Sequence, residues 1–349
     1  MTNAYHSPFF YGGMIQDPRY FVGRRVELDT ILTALATLPN QAQHVNVVGP
    51  RRIGKSSLLW RVKQLAPSRM TVRVFVVYLD GQDLVTPAAF YRALAEALAA
   101  PRPEKERLVR ALQAYREDGR PVVLLLDELD ALLEHGFPQA FFEGLRSWMN
   151  RSLLAVVAAS RKPVARLKFE HGLTSPFFNI FGERIDLGPL PEPDADALVA
   201  RGRACDPPFT DAEMRWVKDW AREKHGYHPA KLQFAGYHLC REKARVRGPV
   251  ALAALERKVD ALWRDATRPT LPWPRRLIRA GDRLFETLGR LVHETLLRKD
   301  TGTTSRSTLR LTGGAVVFLG VAAVVVILGA LLNWPPAGLL LRLLARFGF

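Results

Sequence analysis

The chain has 349 residues, 48% of them hydrophobic and 24% charged, which is the balance of an ordinary globular protein long enough for two domains. Its two cysteines, Cys205 and Cys240, stand far apart without metal-ligand spacing. This argues against a disulfide framework or a zinc site and favours a reducing, cytosolic setting for the main body. The net charge of +16 is concentrated at 201–310, which contains 24 Lys and Arg residues and 13 Asp and Glu residues. Such an excess suits nucleic acid phosphates or an anionic membrane surface.

Residues 1–43 begin as an irregular segment rich in aromatic, Gly and Pro residues and are predicted to become an amphipathic helix near Arg25. Hydrophobic residues at 44–48 then predict a strand, and residues 57–62 predict a helix. Between them, residues 49–57 read GPRRIGKSS and fit the pattern GxxxxGK[ST] of a phosphate-binding loop. A strand before the loop and a helix after it are the context that this motif requires.

The chemistry of the phosphate loop explains its residue types. Glycines let backbone N–H groups curl around a triphosphate, Lys55 is expected to reach the outer phosphates, and Ser56 is expected to ligate Mg²⁺. A helix that starts at Lys55 adds its positive dipole end. The residues expected to bind nucleotide here are Gly49, Pro50, Arg51, Arg52, Ile53, Gly54, Lys55, Ser56 and Ser57.

Acidic residues follow a second buried strand. Residues 72–79 predict one strand, and helices are predicted at 86–99, with Thr86 as N-cap, and at 104–115. The apolar run 121–126 predicts the next strand, which ends in Asp127 and Glu128. An acid at the tip of a buried parallel strand can hold Mg²⁺ through water, and the next glutamate can orient or deprotonate an attacking water. Asp130 is interpreted as a surface or capping residue.

Residues 153–159 predict a further buried strand that ends at Ser160 and Arg161. An arginine at this tip can sense a γ-phosphate and stabilise transition-state charge, and a solvated loop arginine is the alternative. Residues 183–190 resemble the final strand that closes the core of P-loop ATPases. Asp194 is expected to cap the helix that follows.

From Thr210 onward the pattern is interpreted as entirely helical. Thr210 and Glu213 predict a capping box for a helix to residue 224. A second helix opens at the turn 226–229, and a third covers 250–265.

Phe21, Val22, Gly23 and Arg24 form a hydrophobic-hydrophobic-Gly-Arg box. Together with the phosphate loop and the Asp127-Glu128 pair, this box resembles the AAA-like ATPases of the STAND type and their origin-recognition relatives, over about residues 8–265. The resemblance implies that the box contacts adenine, that the C-terminal helices form a small lid, and that Pro229 lies over the nucleotide. Gly226 and Pro229 also suffice as plain helix stop and start signals. A separate sensor or DNA-binding module is not recognisable, which weakens the DNA interpretation.

The C-terminal region predicts a membrane anchor. Residues 313–332 form an uncharged apolar run long enough to cross the hydrocarbon core as a helix. Four basic residues that precede it favour a cytoplasmic location for that side: Arg298, Lys299, Arg306 and Arg310. The basic stretch 267–312 is expected either to face lipid headgroups or to be a solvated helix.

The predicted fold is α/β, with a parallel-sheet P-loop NTPase core of the AAA-like type, a small all-α lid and a C-terminal transmembrane helix. The predicted divisions in chain order are an N-terminal segment (1–43), the core (44–205), the lid (206–266), the basic linker (267–312), the transmembrane helix (313–333) and an apolar tail (334–349).

The predicted function is a membrane-anchored, Mg²⁺-dependent ATPase with slow turnover that acts as a nucleotide-driven switch, its body in the cytoplasm. Lys55, Glu128 and Arg161 are the predicted catalytic residues, and Ser56 and Asp127 are the predicted metal ligands. The alternatives are a non-catalytic ATP-binding switch and an origin-recognition-like DNA-binding ATPase. The expected partners are ATP or ADP, anionic lipid headgroups, and a second copy or another protein, with nucleic acid less favoured.

Overall fold

The computed structural model describes residues 7–172, 174–247 and 250–267, and all of these except Thr267 belong to one compact unit, Met1–Ala266. The predicted transmembrane helix 313–333 and tail 334–349 lie outside the described residues, as does the basic linker beyond Thr267. Within the described part of the chain, no helix has both the length and the apolar character needed to cross a membrane.

A five-stranded parallel sheet forms the centre of the unit. Its strands are β1 (Val45–Val48), β2 (Phe75–Asp80), β3 (Val122–Asp127), β4 (Leu154–Ser160) and β5 (Glu183–Asp186). The spatial order is β2-β3-β4-β1-β5. β3 and β4 are buried along their whole length, because unbroken runs of Val, Leu and Ala suit strands covered on both faces. The predicted parallel α/β core is confirmed, although β2 starts three residues later than the predicted strand at 72–79.

Helices cover both faces of the sheet. They are α1 (Arg25–Leu35), α2 (Lys55–Arg69), α3 (Pro87–Ala97), α4 (Lys105–Glu117), α5 (Leu129–Glu134), α6 (Gln139–Asn150) and α7 (Val164–Glu170). Successive strand residues point to opposite faces, so Leu124 packs in one buried cluster with α3 to α6 and Leu125 in another with α1 and α2. Thr86 caps α3 by accepting a hydrogen bond from the Ala89 N–H, as predicted.

The remaining helices pack in a third cluster, the helical lid. They are α8 (Glu192–Val199), α9 (Asp211–Ala221), α10 (Pro229–Val246) and α11 (Leu252–Thr267). Helix α8 packs in this cluster although it precedes residue 206, where the predicted lid starts. The predicted capping box of Thr210 and Glu213 is present. Asp194 is not the cap of α8: Pro191 occupies that position, and Asp194 lies in the first turn.

The prediction of an entirely helical region after Thr210 is wrong. Strands β6 (Arg222–Glu223) and β7 (Gly226–Tyr227) form a short antiparallel pair between α9 and α10. Gly226 has φ +140°, a conformation that L side chains rarely adopt, and a Cβ there would clash with the Leu190 carbonyl oxygen. The glycine therefore permits a tight hairpin where helix was expected.

The expectation of unpaired cysteines is also wrong. Cys205, which follows α8, and Cys240, on α10, form a disulfide with their Cα atoms 5.8 Å apart. Both are buried in the lid. They are 35 residues apart in the sequence, and only the packing of the lid helices brings them together. The inference of a reducing setting rested on unpaired cysteines and loses that support.

His44 is a buried polar residue at the start of β1. Its side chain is 4% exposed, and its Nδ1 accepts a hydrogen bond from the Val156 N–H at 3.1 Å. Burial disfavours the charged ring and lowers the pKa of His44 to about 4.

We expect the free energy of unfolding of His44→Asn to fall less than that of the wild type as the pH is lowered from about 6.5 to 4. In that window the unfolded chain binds a proton on this histidine and the folded chain does not, so wild-type stability falls as the pH falls, by up to about 3 kcal/mol from this group. Asn can still accept the Val156 hydrogen bond but does not titrate. Urea unfolding at several pH values tests this, with the exposed His225→Asn as control. Equal pH slopes for His44→Asn and the wild type would contradict the prediction.

Candidate nucleotide site

The phosphate loop connects β1 to α2 and is held by backbone contacts. The Gly49 N–H donates to the Ser160 carbonyl oxygen at 3.1 Å. A Cβ at Gly49 would lie 2.8 Å from the Leu187 carbonyl oxygen, so only glycine fits there. Gly54 precedes α2 with φ +103°, and a Cβ there would meet no described atom within 4 Å. The loop therefore borders open space at the N-terminus of α2, where N–H groups and the helix dipole favour an anion.

Lys55 is the buried cation of this loop, with a side chain that is 4% exposed. Its Nζ donates to the carbonyl oxygens of Gly49 at 3.0 Å and Pro50 at 3.2 Å. Burial lowers the pKa of Lys55, and the negative charges of Glu128 and Asp127 oppose that shift. A buried ammonium group whose hydrogen bonds go to backbone carbonyl oxygens is suited to an anionic ligand.

The other loop residues differ in exposure. Arg51 and Arg52 are exposed, whereas Ile53 is buried against the sheet. Ser56 is partly exposed. Ser57 is buried, and its Oγ accepts a hydrogen bond from the Ile15 N–H at 2.9 Å. Ser57 thus holds the N-terminal segment in place, a contact that the sequence did not predict.

Asp127 and Glu128 lie at the carboxyl end of β3, as predicted. The Asp127 side chain is 1% exposed, its Oδ1 accepts from the Glu128 N–H at 2.9 Å, and its Oδ2 accepts from the Tyr78 hydroxyl at 2.8 Å. Burial raises the pKa of Glu128, and the charge of Lys55 opposes that shift. The structure therefore brings the acidic pair and the phosphate-loop lysine into one electrostatic cluster.

Arg161 follows β4 but pairs with acids of α5. Its backbone N–H donates to Asp130 Oδ2 at 2.8 Å, and its guanidinium pairs with Glu134 and lies 3.8 Å from Asp130 Oδ1. Asp130 is 3% exposed, so its interpretation as a surface or capping residue is wrong. Its carboxylate lies between α5 and the end of β4, where it accepts the hydrogen bond from the Arg161 N–H. The sensing role of Arg161 stays a prediction.

The box Val22-Gly23-Arg24 lies where the sheet core meets the lid. Phe21 packs in the cluster of α1 and α2, whereas Val22 packs in the lid cluster. The Arg24 guanidinium is buried and donates to the carbonyl oxygens of Gly188 at 2.5 Å and Ile53 at 3.3 Å. The box is therefore attached to the phosphate loop and to the chain that leaves β5.

Gly23 and Pro229 show how the lid approaches the same region. A Cβ at Gly23, which has φ +71°, would collide with the carboxylate of Asp194 on α8. Pro229 begins α10 directly after His228. Burial lowers the pKa of His228, and the positive charge of Arg52 in the phosphate loop adds to this shift. The start of α10 and the loop are therefore electrostatic neighbours.

The acidic residues at the site suit Mg²⁺ held together with a phosphate ligand. Among residues 7–172, 174–247 and 250–267, no group of three or more His, Cys, Asp or Glu side chains is placed to hold a metal by itself. Mg²⁺ is usually bound through one or two carboxylates plus substrate phosphates rather than by an all-protein cage. Asp127 beside the phosphate loop provides the carboxylate part of such a site.

The parallel sheet, the phosphate loop and the acidic pair at the end of β3 define a P-loop ATPase domain. The family comparison is more specific: residues 39–163 match the sequence profile described as AAA domain. This part of the chain is therefore an AAA P-loop ATPase domain. No curated protein matches the chain.

Solved structures share this fold at low sequence identity. A Walker-type ATPase of Pyrococcus abyssi is 14% identical with a TM-score of 0.56, covering 86% of this chain and 91% of that one. The ORC2 protein of Aeropyrum pernix, solved as ADPNP and ADP complexes, is 14% identical with a TM-score of 0.54, covering 71% and 72%. The ORC1 protein of Aeropyrum pernix, solved with DNA, is 20% identical with a TM-score of 0.51, covering 86% and 84%. The chain is thus structurally similar to origin-recognition proteins.

Proposed function

We propose that this protein binds ATP with Mg²⁺ and hydrolyses it slowly, as an AAA-like ATPase of the STAND type in which the nucleotide drives a conformational switch. One observation carries the proposal: a buried lysine in the phosphate loop after β1 and an aspartate and a glutamate at the end of β3 lie at the same edge of the parallel sheet, near enough for the acidic charges to act on the lysine. The AAA match over residues 39–163 supports it.

Each residue at the site has a chemical task in this proposal. Ser56 directly and Asp127 through water would hold Mg²⁺, which when bound neutralises phosphate charge. Lys55 exchanges its loop carbonyl partners for the outer phosphates of ATP. Glu128 accepts the proton of the attacking water, and its raised pKa makes it a better base. Arg161 stabilises negative charge that develops on the γ-phosphate.

The lid provides the switch. Val22, Gly23 and Arg24 are proposed to contact adenine, with Pro229 above it. Because the box packs on both the sheet core and the lid, a nucleotide bound there changes the free energy of closing the lid on the core. Hydrolysis then releases the lid.

Nucleotide binding by the full-length chain tests the proposal. We expect the wild type to bind ATP in Mg²⁺ and Lys55→Ala to bind it about tenfold to a hundredfold more weakly, since it loses charge-assisted hydrogen bonds to phosphate. Lys63→Ala is the matched control, because Lys63 lies on the same helix and stacks on Trp60. Isothermal titration calorimetry measures the affinities. A wild-type chain that binds no ATP would make the proposal wrong.

We also propose that residues 313–333 anchor the protein in a membrane, with 267–312 against anionic headgroups and the ATPase body in the cytoplasm. The support is the uncharged apolar run and the basic residues that precede it.

An origin-recognition-like DNA-binding ATPase is the second candidate, supported by the excess of positive charge at 201–310 and by the fold shared with ORC1. Flotation of the full-length chain with phosphatidylserine vesicles, against salt-sensitive binding to duplex DNA, distinguishes the two.

A further inference from the structure

Tyr78 contacts the acidic pair although it belongs to neither sequence motif. It lies on β2, two residues before Asp80, and Asp80 is the register partner of Asp127 on the neighbouring strand β3. The Tyr78 hydroxyl donates a hydrogen bond to Asp127 Oδ2 at 2.8 Å. The adjacent parallel strands thus place a phenol beside the carboxylate that is proposed to hold the metal.

The ring of Tyr78 makes a second contact, with the phosphate-loop helix. It packs edge-on against Trp60 of α2, with the ring centroids 5.5 Å apart and the planes at 78°. Helix α2 is the helix that the phosphate loop opens. Tyr78 therefore contacts both halves of the site, the phosphate-loop helix through its ring and the acidic strand through its hydroxyl.

With the Tyr78 hydroxyl, each carboxylate oxygen of Asp127 accepts a hydrogen bond. Oδ1 already accepts the Glu128 N–H at 2.9 Å, so Tyr78 supplies the donor on the other oxygen. One donor on β2 and one in the residue that follows β3 therefore hold the two oxygens of this carboxylate, which is 1% exposed. Each carboxylate oxygen has a further lone pair, which leaves capacity for a metal-bound water.

We propose that Tyr78 is a positioning residue that holds the Asp127 carboxylate in the orientation needed for Mg²⁺. The inference rests on the proposed function. Hydrogen-bond partners of groups that ligate a metal directly typically matter by about tenfold to a hundredfold in metal affinity or activity. Asp127 is proposed to hold Mg²⁺ through water, so Tyr78 acts one step further out and the lower end of that range is expected.

Tyr78→Phe in the full-length chain is the direct test. The change removes the hydroxyl and keeps the ring against Trp60. The measurement is the affinity for ATP that carries a fluorescent methylanthraniloyl group, determined over a range of Mg²⁺ concentrations and in EDTA. We expect Tyr78→Phe to need about tenfold more Mg²⁺ for the metal-dependent gain in affinity, with the affinity in EDTA unchanged. Tyr115→Phe is the matched control, since Tyr115 packs on Phe75 of the same strand, away from Asp127.

A second variant separates positioning from a structural role. In an Asp127→Asn background, Tyr78→Phe should cause no further change in the Mg²⁺ requirement, because both changes act on the same carboxylate. A structural role would instead lower the affinity in EDTA and the melting temperature of both backgrounds. Equal Mg²⁺ requirements for Tyr78→Phe and the wild type would overturn the inference alone. A wild-type chain whose ATP affinity does not respond to Mg²⁺ would overturn the magnesium part of the proposed function as well.

Discussion

Glu128→Gln is expected to slow ATP hydrolysis by the full-length chain about a hundredfold to ten-thousandfold while ATP binding is retained. Glutamine has the size of glutamate but cannot take a proton from water, and general bases typically contribute this much. Burial raises the pKa of Glu128 and so increases its basicity. Lys55, on which phosphate binding is proposed to depend, is unchanged in this variant.

Steady-state phosphate release and ATP affinity are the two measurements for this variant. Glu117→Gln is the control, because Glu117 is exposed at the end of α4. Because the pKa of Glu128 is raised, acidification should reduce wild-type hydrolysis at a pH above the usual pKa of glutamate, about 4.3. Wild-type turnover no faster than that of Glu128→Gln would instead favour the non-catalytic switch.

Local signals in the sequence predicted the sheet and the two motifs well. The unbroken apolar run before Asp127 and the loop around Lys55 each lie within about ten residues of chain. The residue types in such a short pattern are set by the strand, loop or helix that they form, so the pattern predicts that element directly. The helix start at Lys55 and the Thr210 capping box are confirmed for the same reason. The nucleotide-binding and catalytic roles of the site residues stay predictions.

Contacts between elements distant in the sequence could not be predicted in this way. Tyr78 reaches Asp127 only because β2 and β3 are neighbours in a particular register. Asp130 reads as a polar residue after an acidic turn, but α5 folds back so that its carboxylate is buried. Cys205 and Cys240 meet only when the lid helices pack. A signal was available for Tyr78, since a tyrosine two residues before the end of a neighbouring parallel strand can point to the same edge.

The stability of the lid depends on a buried ion pair, and Lys243→Met is expected to destabilise it by about 3 to 5 kcal/mol. Lys243 Nζ donates to Glu213 Oε1 at 2.8 Å and Oε2 at 2.6 Å, and the two side chains are 5% and 7% exposed. Glu213 also accepts from the Thr210 N–H in the capping box. Removal of the ammonium group leaves a carboxylate that is buried without its counter-charge, which is the costly case.

Two comparisons show whether this cost comes from the unpaired charge. In Lys243→Met combined with Glu213→Gln, the amide can still accept the Thr210 hydrogen bond and no buried charge is left, so most of the stability should return. Lys258→Met breaks a partly exposed pair with Glu242, which keeps Arg245 as a partner, and should cost under about 1 kcal/mol. Urea unfolding followed by tryptophan fluorescence measures these stabilities, and three of the seven tryptophans, Trp216, Trp220 and Trp263, lie in the lid. If Lys243→Met costs no more than Lys258→Met, solvent or a neighbouring group satisfies Glu213, and apolar packing rather than the ion pair holds α9 against α10.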